Sequence, residues 1–319
     1  MKKLVAALLV LACLWGTVTV GCAEELLPYA LERRIYFVND ECFIVKDDGT
    51  VFLNRAAKKD FPEVAEWTDI QAISVDASTV LGLKQDGTVV ATGNDNNFGV
   101  LNVDGWKDMI QVEADLWCSY GLTKEGDLIH TGEIFHEDQE TFALYEWRNL
   151  KEIAADSGYL FAITDDGHVI STFDDDFSEL EDVVHIYAEH MDAYFLHGDG
   201  SYSLYSIYGE DFLCRNRERQ PLYPNRERHP AQISIFRGRA GSHSVYLDSY
   251  GKLHADELSE YHQLDAEFIL AVCGGIYVDE DGGLHSIVEM DTEEPLPTID
   301  LSRYQRVGEM GDATGKMME

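Results

Sequence analysis

Arginine is the residue type with the most chemical promise in this chain, because it is concentrated where its surroundings are acidic. Seven of the 24 lysines and arginines (Arg215, Arg217, Arg219, Arg226, Arg228, Arg237 and Arg239) fall close together in a 319-residue sequence of formal net charge −35. The planar guanidinium fork pairs well with carboxylates and phosphates. Arg215, Arg217, Arg219, Arg226 and Arg228, with Tyr223 among them, are therefore the candidate contacts to an anionic or acidic protein partner. Pro221, Pro224 and Pro230 lie in the same stretch, which reads as an exposed loop inserted over residues 209–231. The structural alternative is an internal electrostatic tie, with the loop lying on acidic neighbours.

Other reactive residue types point to less. Acidic runs such as Asp174-Asp175-Asp176, Asn94-Asp95-Asn96-Asn97 and Asp279-Glu280-Asp281-Gly282 offer oxygen ligands, but none has the spacing of a twelve-residue calcium loop. No cofactor is expected, with calcium left open. The histidines lack a His-Glu-x-x-His pattern, and no Gly-x-Ser-x-Gly elbow, Walker loop or dinucleotide fingerprint is present. No catalytic residue and no metal ligand is assigned, and the chain is read as a non-enzyme. A pair of glycosidase carboxylates stays open, since any two of 59 acidic residues could meet in space.

The elements that would hold these side chains repeat. Seven turns centred on glycine occur at Asp48-Gly49, Asp86-Gly87, Glu125-Gly126, Asp166-Gly167, Asp199-Gly200, Tyr250-Gly251 and Asp281-Gly282. Each is flanked by short apolar or alternating runs, for example Val80-Leu81-Gly82-Leu83-Lys84 before Gly87 and Thr88-Val89-Val90-Ala91-Thr92 after it. An Asp-Gly pair between strands predicts a type I′ hairpin with positive φ at both central residues. Fourteen residues before the turn glycine stand Ile35, Ile73, Val112, Ile153, Ile186 and Phe268, while Ile235 sits sixteen before Gly251. Six residues before that apolar position stand Trp67, Trp106, Trp147 and Leu180, and Val307 follows Leu301 by the same interval, like an eighth copy cut short.

One unit is a small antiparallel meander that cannot bury its own faces. Stacked in a ring, each face covers its neighbour, which predicts an all-β propeller of seven blades over residues 30–310. An open solenoid is the alternative. Ring closure is expected from Leu301 to Met310 pairing with the N-terminal unit, and residues 311–319 read as a flexible tail. The shared phase explains Trp67, Trp106 and Trp147 as packing between blades better than as a sugar-binding stripe. Trp117 falls outside the phase and is freer to bind. Cys42, Cys118 and Cys273 precede their turn glycines by similar intervals and read as small core residues, and His254 and His285 both follow theirs by three.

The repeat resembles that of the regulator of chromosome condensation family. The resemblance is carried by Val80-Leu81-Gly82-Leu83-Lys84-Gln85-Asp86-Gly87-Thr88-Val89-Val90-Ala91-Thr92-Gly93-Asn94, followed by Phe98-Gly99-Val100-Leu101-Asn102. It spans roughly residues 30 to 310, is strongest in the second unit, and weakens from the fifth onward. It implies a seven-bladed propeller whose loops at one end of the ring contact proteins.

Residues 1–23 read as a signal sequence, with Met1-Lys2-Lys3 before an apolar run from Leu4 to Val20. Thr19-Val20-Gly21-Cys22 is an imperfect lipobox with Cys22 as the lipidation candidate, and Gly21-Cys22-Ala23 also suits ordinary cleavage after Ala23. Either outcome places the protein outside the cytoplasm or on the cell surface of a bacterium, with a membrane reached only through a lipid anchor. The negative charge opposes nucleic acid. The expected function is a monomeric, secreted or surface-anchored scaffold that binds protein through its inter-strand loops. A carbohydrate-binding or carbohydrate-active protein using the central face of the ring, and a structural cell-envelope protein, are the rival readings.

Overall fold

The computed structural model of the chain describes residues 26–306 apart from 28, 39, 77, 95, 97, 135–143, 145–146, 173–176, 190–191, 198–201, 207–229, 239–240, 249–252, 256–268, 274, 280, 288–289 and 304. Strand β1 (Leu26–Leu27) and helix α1 (Tyr29–Glu32) precede the first sheet: β2 (Ile35–Val38), β3 (Glu41–Val45) and β4 (Val51–Leu53). Helix α2 (Arg55–Asp60) leads to the second sheet: β5 (Ile70–Asp76), β6 (Thr79–Lys84) and β7 (Val89–Gly93). The third is β8 (Met109–Ala114), β9 (Cys118–Thr123) and β10 (Leu128–Gly132), and the fourth β11 (Leu150–Asp156), β12 (Tyr159–Thr164) and β13 (Val169–Ser171). The fifth is β14 (Val183–Glu189), β15 (Asp192–His197) and β16 (Tyr202–Ser206), and the sixth β17 (Pro230–Gly238), β18 (Gly241–Asp248) and β19 (Leu253–Ala255). The seventh is β20 (Ile269–Cys273), β21 (Ile276–Asp279) and β22 (Leu284–Ser286), and β23 (Gln305–Arg306) ends the series.

Each of the seven sheets is an antiparallel meander in sequence order. The first strand of each packs on the first strand of the next, from β2 through β5, β8, β11, β14 and β17 to β20, and β20 returns to β2. The sheets thus form a closed ring with their first strands innermost, an all-β propeller rather than a solenoid. The core lies between sheets, as the stacking argument requires. Leu81, Leu83 and Val89 of the second sheet pack with Trp106, Met109 and Val112 of the third, and Phe161, Ile163 and Val169 of the fourth with Val183, Ile186 and Phe195 of the fifth.

The outer hairpins have one register throughout. The pairs Val45↔Val51, Leu83↔Val89, Leu122↔Leu128, Ile163↔Val169, Leu196↔Tyr202, Leu247↔Leu253 and Val278↔Leu284 all centre on the residue before the turn glycine. The turn is not type I′. Gly87 N donates to Lys84 O at 2.9 Å and Lys84 N to Thr88 O at 2.9 Å, with the left-handed backbone confined to Gly87 at φ 80°. This is a turn followed by a left-handed glycine bulge, and it leaves Asp86 free to use its carboxylate: Oδ1 accepts from Thr88 N at 2.9 Å and Thr88 Oγ1 at 2.6 Å.

The same glycine locks one unit to the next. Gly87 O accepts from Met109 N at 3.0 Å, and a Cβ on Gly87 would stand 3.2 Å from the backbone of Asp108. Asp108 itself has φ 59°, as Asp69, Asn149 and Asp182 have similar positive values at the same place in their units. Short Asx side chains tolerate that region better than others do.

The inner hairpins vary instead. Ile35, Ile73, Val112, Ile153 and Ile186 pair with Ile44, Gly82, Gly121, Ala162 and Phe195. In the sixth sheet the equivalent residue is Ile233, opposite Tyr246, rather than Ile235; in the seventh it is Val272, opposite Tyr277, rather than Phe268. Phe268 lies outside the described residues. Both hairpins keep their outer register and differ in length from the others by two residues per strand.

Closure uses both ends of the chain. Leu26 and Leu27 pair in parallel with Gln305 and Arg306, so the segment after Leu301 meets β1, ahead of the first sheet, rather than the strands of the first unit. The truncated eighth copy begins earlier than its sequence phase implied. Ile299 N donates to Gly282 O at 2.9 Å, as Ile70 N does to Gly49 O, and Leu296 rather than Leu301 then holds the tryptophan position three residues before it. Leu296, Ile299 and Leu301 pack with Leu31, Ile35, Phe37 and Ile276 between the first and seventh sheets.

Candidate functional site

Arg215, Arg217, Arg219, Tyr223, Arg226 and Arg228 lie outside the described residues, as do Cys22, Cys214 and the signal segment. The arginine-rich segment connects Ser206, the end of β16, to Pro230, the start of β17. It therefore replaces an inter-sheet connection between the fifth and sixth sheets, the kind of position at which an insertion leaves the ladders intact.

The other sequence candidates sort into packing. Trp67 and Trp106 pack on the middle strands of their own sheets: a Cβ at Gly82 or Gly121 would stand 2.7 Å from the ring. In the fifth sheet the same two positions hold Leu180 and Phe195, a small-for-large exchange that conserves volume. Trp117 also packs, against Gly158 of the next sheet, where a Cβ would stand 2.9 Å away. Beside it Leu116 is exposed at an inner hairpin tip. Cys42 and Cys118 are free and buried, and burial pushes their thiols well up, to about 12 for Cys118. In the Asp279–Gly282 stretch, Asp279 accepts from Gly283 N at 2.8 Å and meets His285 at 2.7 Å, so this acidic run serves its own hairpin. Among the described residues no group of three His, Cys, Asp or Glu side chains is placed to hold a metal ion, and no helix is long and apolar enough to cross a membrane.

The polar cluster that the ring does assemble lies on its axis. The innermost strands are edge strands, and their inward amides need acceptors. From the second to the fifth sheet, each draws one from the chain that precedes it around the ring. Ile73 N donates to Arg33 O at 2.8 Å, Ile153 N to Gln111 Oε1 at 3.1 Å and Ile186 N to Glu152 Oε1 at 3.0 Å. Ser74 Oγ accepts from Ala114 N at 2.9 Å and reaches Glu113 Oε2 at 3.4 Å. Gln111 Nε2 also donates to Glu113 Oε1 at 2.8 Å.

His185 joins this network from the fifth sheet. Its Nδ1 stands 2.7 Å from Glu152 Oε1 and its Nε2 2.9 Å from Glu32 Oε2. Carboxylates only accept, so both ring nitrogens donate and the ring is an imidazolium. Burial works against that charge, yet the two carboxylates carry the histidine up to about 10. Glu152, which burial alone would raise, is drawn below its ordinary value by His185, with Arg33 3.9 Å away adding to the effect. Glu113 is raised to about 7 by burial, against the opposing pull of Gln111 and Arg33. Nearer one mouth of the ring, Asp115 is likewise raised by burial to about 7, although both its oxygens accept from Gly158 N at 3.0 Å.

This cluster escaped the sequence reading. Its signal was there: the positions fifteen before the turn glycine are polar in Gln111, Glu152 and His185, and those thirteen before are polar in Ser74 and Glu113. Attention to the apolar position between them hid both phases.

Comparison with solved structures returns propellers. Prp20p from Saccharomyces cerevisiae, studied for its binding to Gsp1p and histones, superposes with a TM-score of 0.52 at 15% identity, over 79% of this chain and 80% of that chain. Yeast RCC1 (Prp20) bound to Kap60 gives 0.51 at 15% identity, over 79% and 78%. The CRINKLY WD40 ectodomain of the Arabidopsis thaliana receptor kinase ACR4 gives 0.55 at 10% identity, over 83% and 97%. No protein-family model and no curated protein matches the sequence. At these identities the likeness is one of fold, and it is to RCC1-like β-propellers.

Proposed function

We propose that this protein is a non-enzymatic propeller scaffold, exported from the cell, that binds a protein partner through the loops at the ends of its ring. One observation carries the choice of binding over catalysis. Two axial carboxylates, Glu32 and Glu152, both bind His185, which occupies the space between them. A glycosidase requires its two carboxyls to flank a bond, with room for sugar between them. The yeast propellers of similar fold bind Gsp1p, histones and Kap60, which supports a protein partner for a scaffold of this shape.

The arginine-rich connection between the fifth and sixth sheets is the proposed contact, with Arg215, Arg217, Arg219, Tyr223, Arg226 and Arg228 as its reading residues. Arginine and tyrosine supply much of the energy of protein interfaces. The chain's overall acidity leaves this segment as its most cationic feature, suited to an acidic partner surface. Cys22 is the proposed lipid site if the protein is held at a membrane.

The test is capture from culture supernatant and cell-wall extract with the full chain, against a variant with all five arginines from 215 to 228 changed to serine. A partner held by the wild type and lost by the variant at unchanged melting temperature supports the assignment. Equal capture by both moves the contact elsewhere on the ring. Glycan hydrolysis by the purified protein, with no partner captured, overturns the reading.

A further inference from the structure

We propose that Glu32, His185 and Glu152 form a second closure of the ring, through its axis, and that protons decide whether it is shut. The first closure is the β1–β23 pair, with Leu296, Ile299 and Leu301 packed between the first and seventh sheets. The axial one joins parts of the chain that are 153 residues apart: Glu32 ends helix α1, ahead of the first sheet, and His185 lies on the inner strand of the fifth. Neighbouring residues of the N-terminal segment face opposite ways. Leu31 is buried in the core between the first and seventh sheets, and Glu32 reaches across to His185. One short segment is therefore fastened in the core between two sheets and at the axis together.

The charges around the tie make it sensitive to pH. Among the described residues, Arg33 faces it from the N-terminal segment and Glu113 from β8, with Tyr36 one hydrogen bond further through Ser74. When Glu113 is protonated, the two carboxylates are balanced by His185 and Arg33. As pH rises through about 7, Glu113 ionises beside Glu152 and adds an uncompensated negative charge. As pH rises through about 10, His185 loses its proton. A neutral imidazole donates from one nitrogen only, so one of its two carboxylates is then left facing a lone pair. The tie is shut in mildly acidic to neutral solution, weakened above neutrality and open in strong alkali. At the acid end Glu152 keeps its charge to below the ordinary glutamate range, because His185 holds its charged form.

Hydrogen exchange on the full chain tests this, with rates normalised for the intrinsic pH dependence of exchange. In wild type, protection of residues 29–34 should fall between pH 8 and pH 10.5 while β8 and β9 stay protected. His185→Gln should exchange about tenfold faster in residues 29–34 already at pH 6, since a charged hydrogen bond is lost, with β8 and β9 within about twofold of wild type. Glu32→Gln, at the more tolerant end of the tie, should reproduce that local effect even if the histidine variant fails to fold. The double variant should be no worse than His185→Gln alone. Wild-type protection of residues 29–34 in both single variants, or equal loss over every sheet, would overturn the proposal.

Discussion

The rim of this ring is repetitive and its axis is not. Around the outside, seven hairpins share one register, and each described turn glycine hydrogen-bonds the strand entry of the next unit. Along the centre, inner-strand amides of the second, third, fourth and fifth sheets are satisfied by a carbonyl, a serine, a glutamine and a glutamate, and His185 turns to two carboxylates instead. The need is the same at both places, a partner for a backbone group at a sheet edge. At the rim the partner is backbone, so almost any sequence with glycine at the turn meets it. At the axis the partner is a side chain, so each unit can meet it differently and the ring loses its symmetry there.

The largest effect should come from cutting the β1–β23 closure. Removing residues 301–319 deletes β23 and Leu301, and the melting temperature should fall on the order of 10 °C by circular dichroism. An unchanged value would mean that the axis alone keeps the ring shut.

A middle-strand position, between axis and rim, comes next. Gly121→Phe drives a ring into Trp106, where even a Cβ would stand 2.7 Å away, and should cost about 3 kcal/mol in urea unfolding. Adding Trp106→Leu recreates the Leu180–Phe195 arrangement of the fifth sheet and should recover most of the loss. Failure to recover would show that the units are less interchangeable than their registers imply.

The axis should announce itself in pH dependence. Glu113 has a folded value of about 7 against 4.5. Between those values the folded protein binds more protons than the unfolded chain, so stability falls as pH rises from 4.5 through 7. The contribution is at most about 3 kcal/mol. Glu41 and Asp115, both raised to about 7 by burial, act in the same direction. Glu113→Gln should flatten, without abolishing, the decline in melting temperature over this window; an unaltered slope would remove Glu113 from the account.

The smallest effect belongs to exposed pairs on the rim. Arg148→Ser breaks an ion pair with Asp127 at 3.1 Å between two half-exposed side chains, and should shift the melting temperature by about 1 °C or less. A larger shift would mean that surface charge holds the rim together as well as its backbone contacts do.

These differences track what a linear pattern can encode. Gly49, Gly87, Gly126 and Gly167 were readable because a turn with positive φ admits glycine far more readily than other residues, and the spacing between such turns fixes the number of hairpins. Trp67 and Trp106 were readable as packing residues for the same reason, a shared phase. The turn type was misread because Asp-Gly suits two kinds of hairpin, and hydrogen bonds from Thr88 to Asp86 choose between them. The shifted equivalents Ile233 and Val272 were misread because a two-residue change in each strand preserves the alternation of faces, so the sequence carries no mark of it.

The repeat and its hairpins, then, follow from local rules, since φ preference and period-2 alternation act over a few residues. Which carboxylates meet His185 does not. Glu32, Glu152 and His185 are brought together only when seven sheets close into a ring and their first strands converge, because that is where side chains far apart in sequence come within hydrogen-bond reach. Whether those residues would be solvated ordinary acids or a buried, charged tie was decided by that convergence, through the removal of water and the enforced proximity of opposite charges.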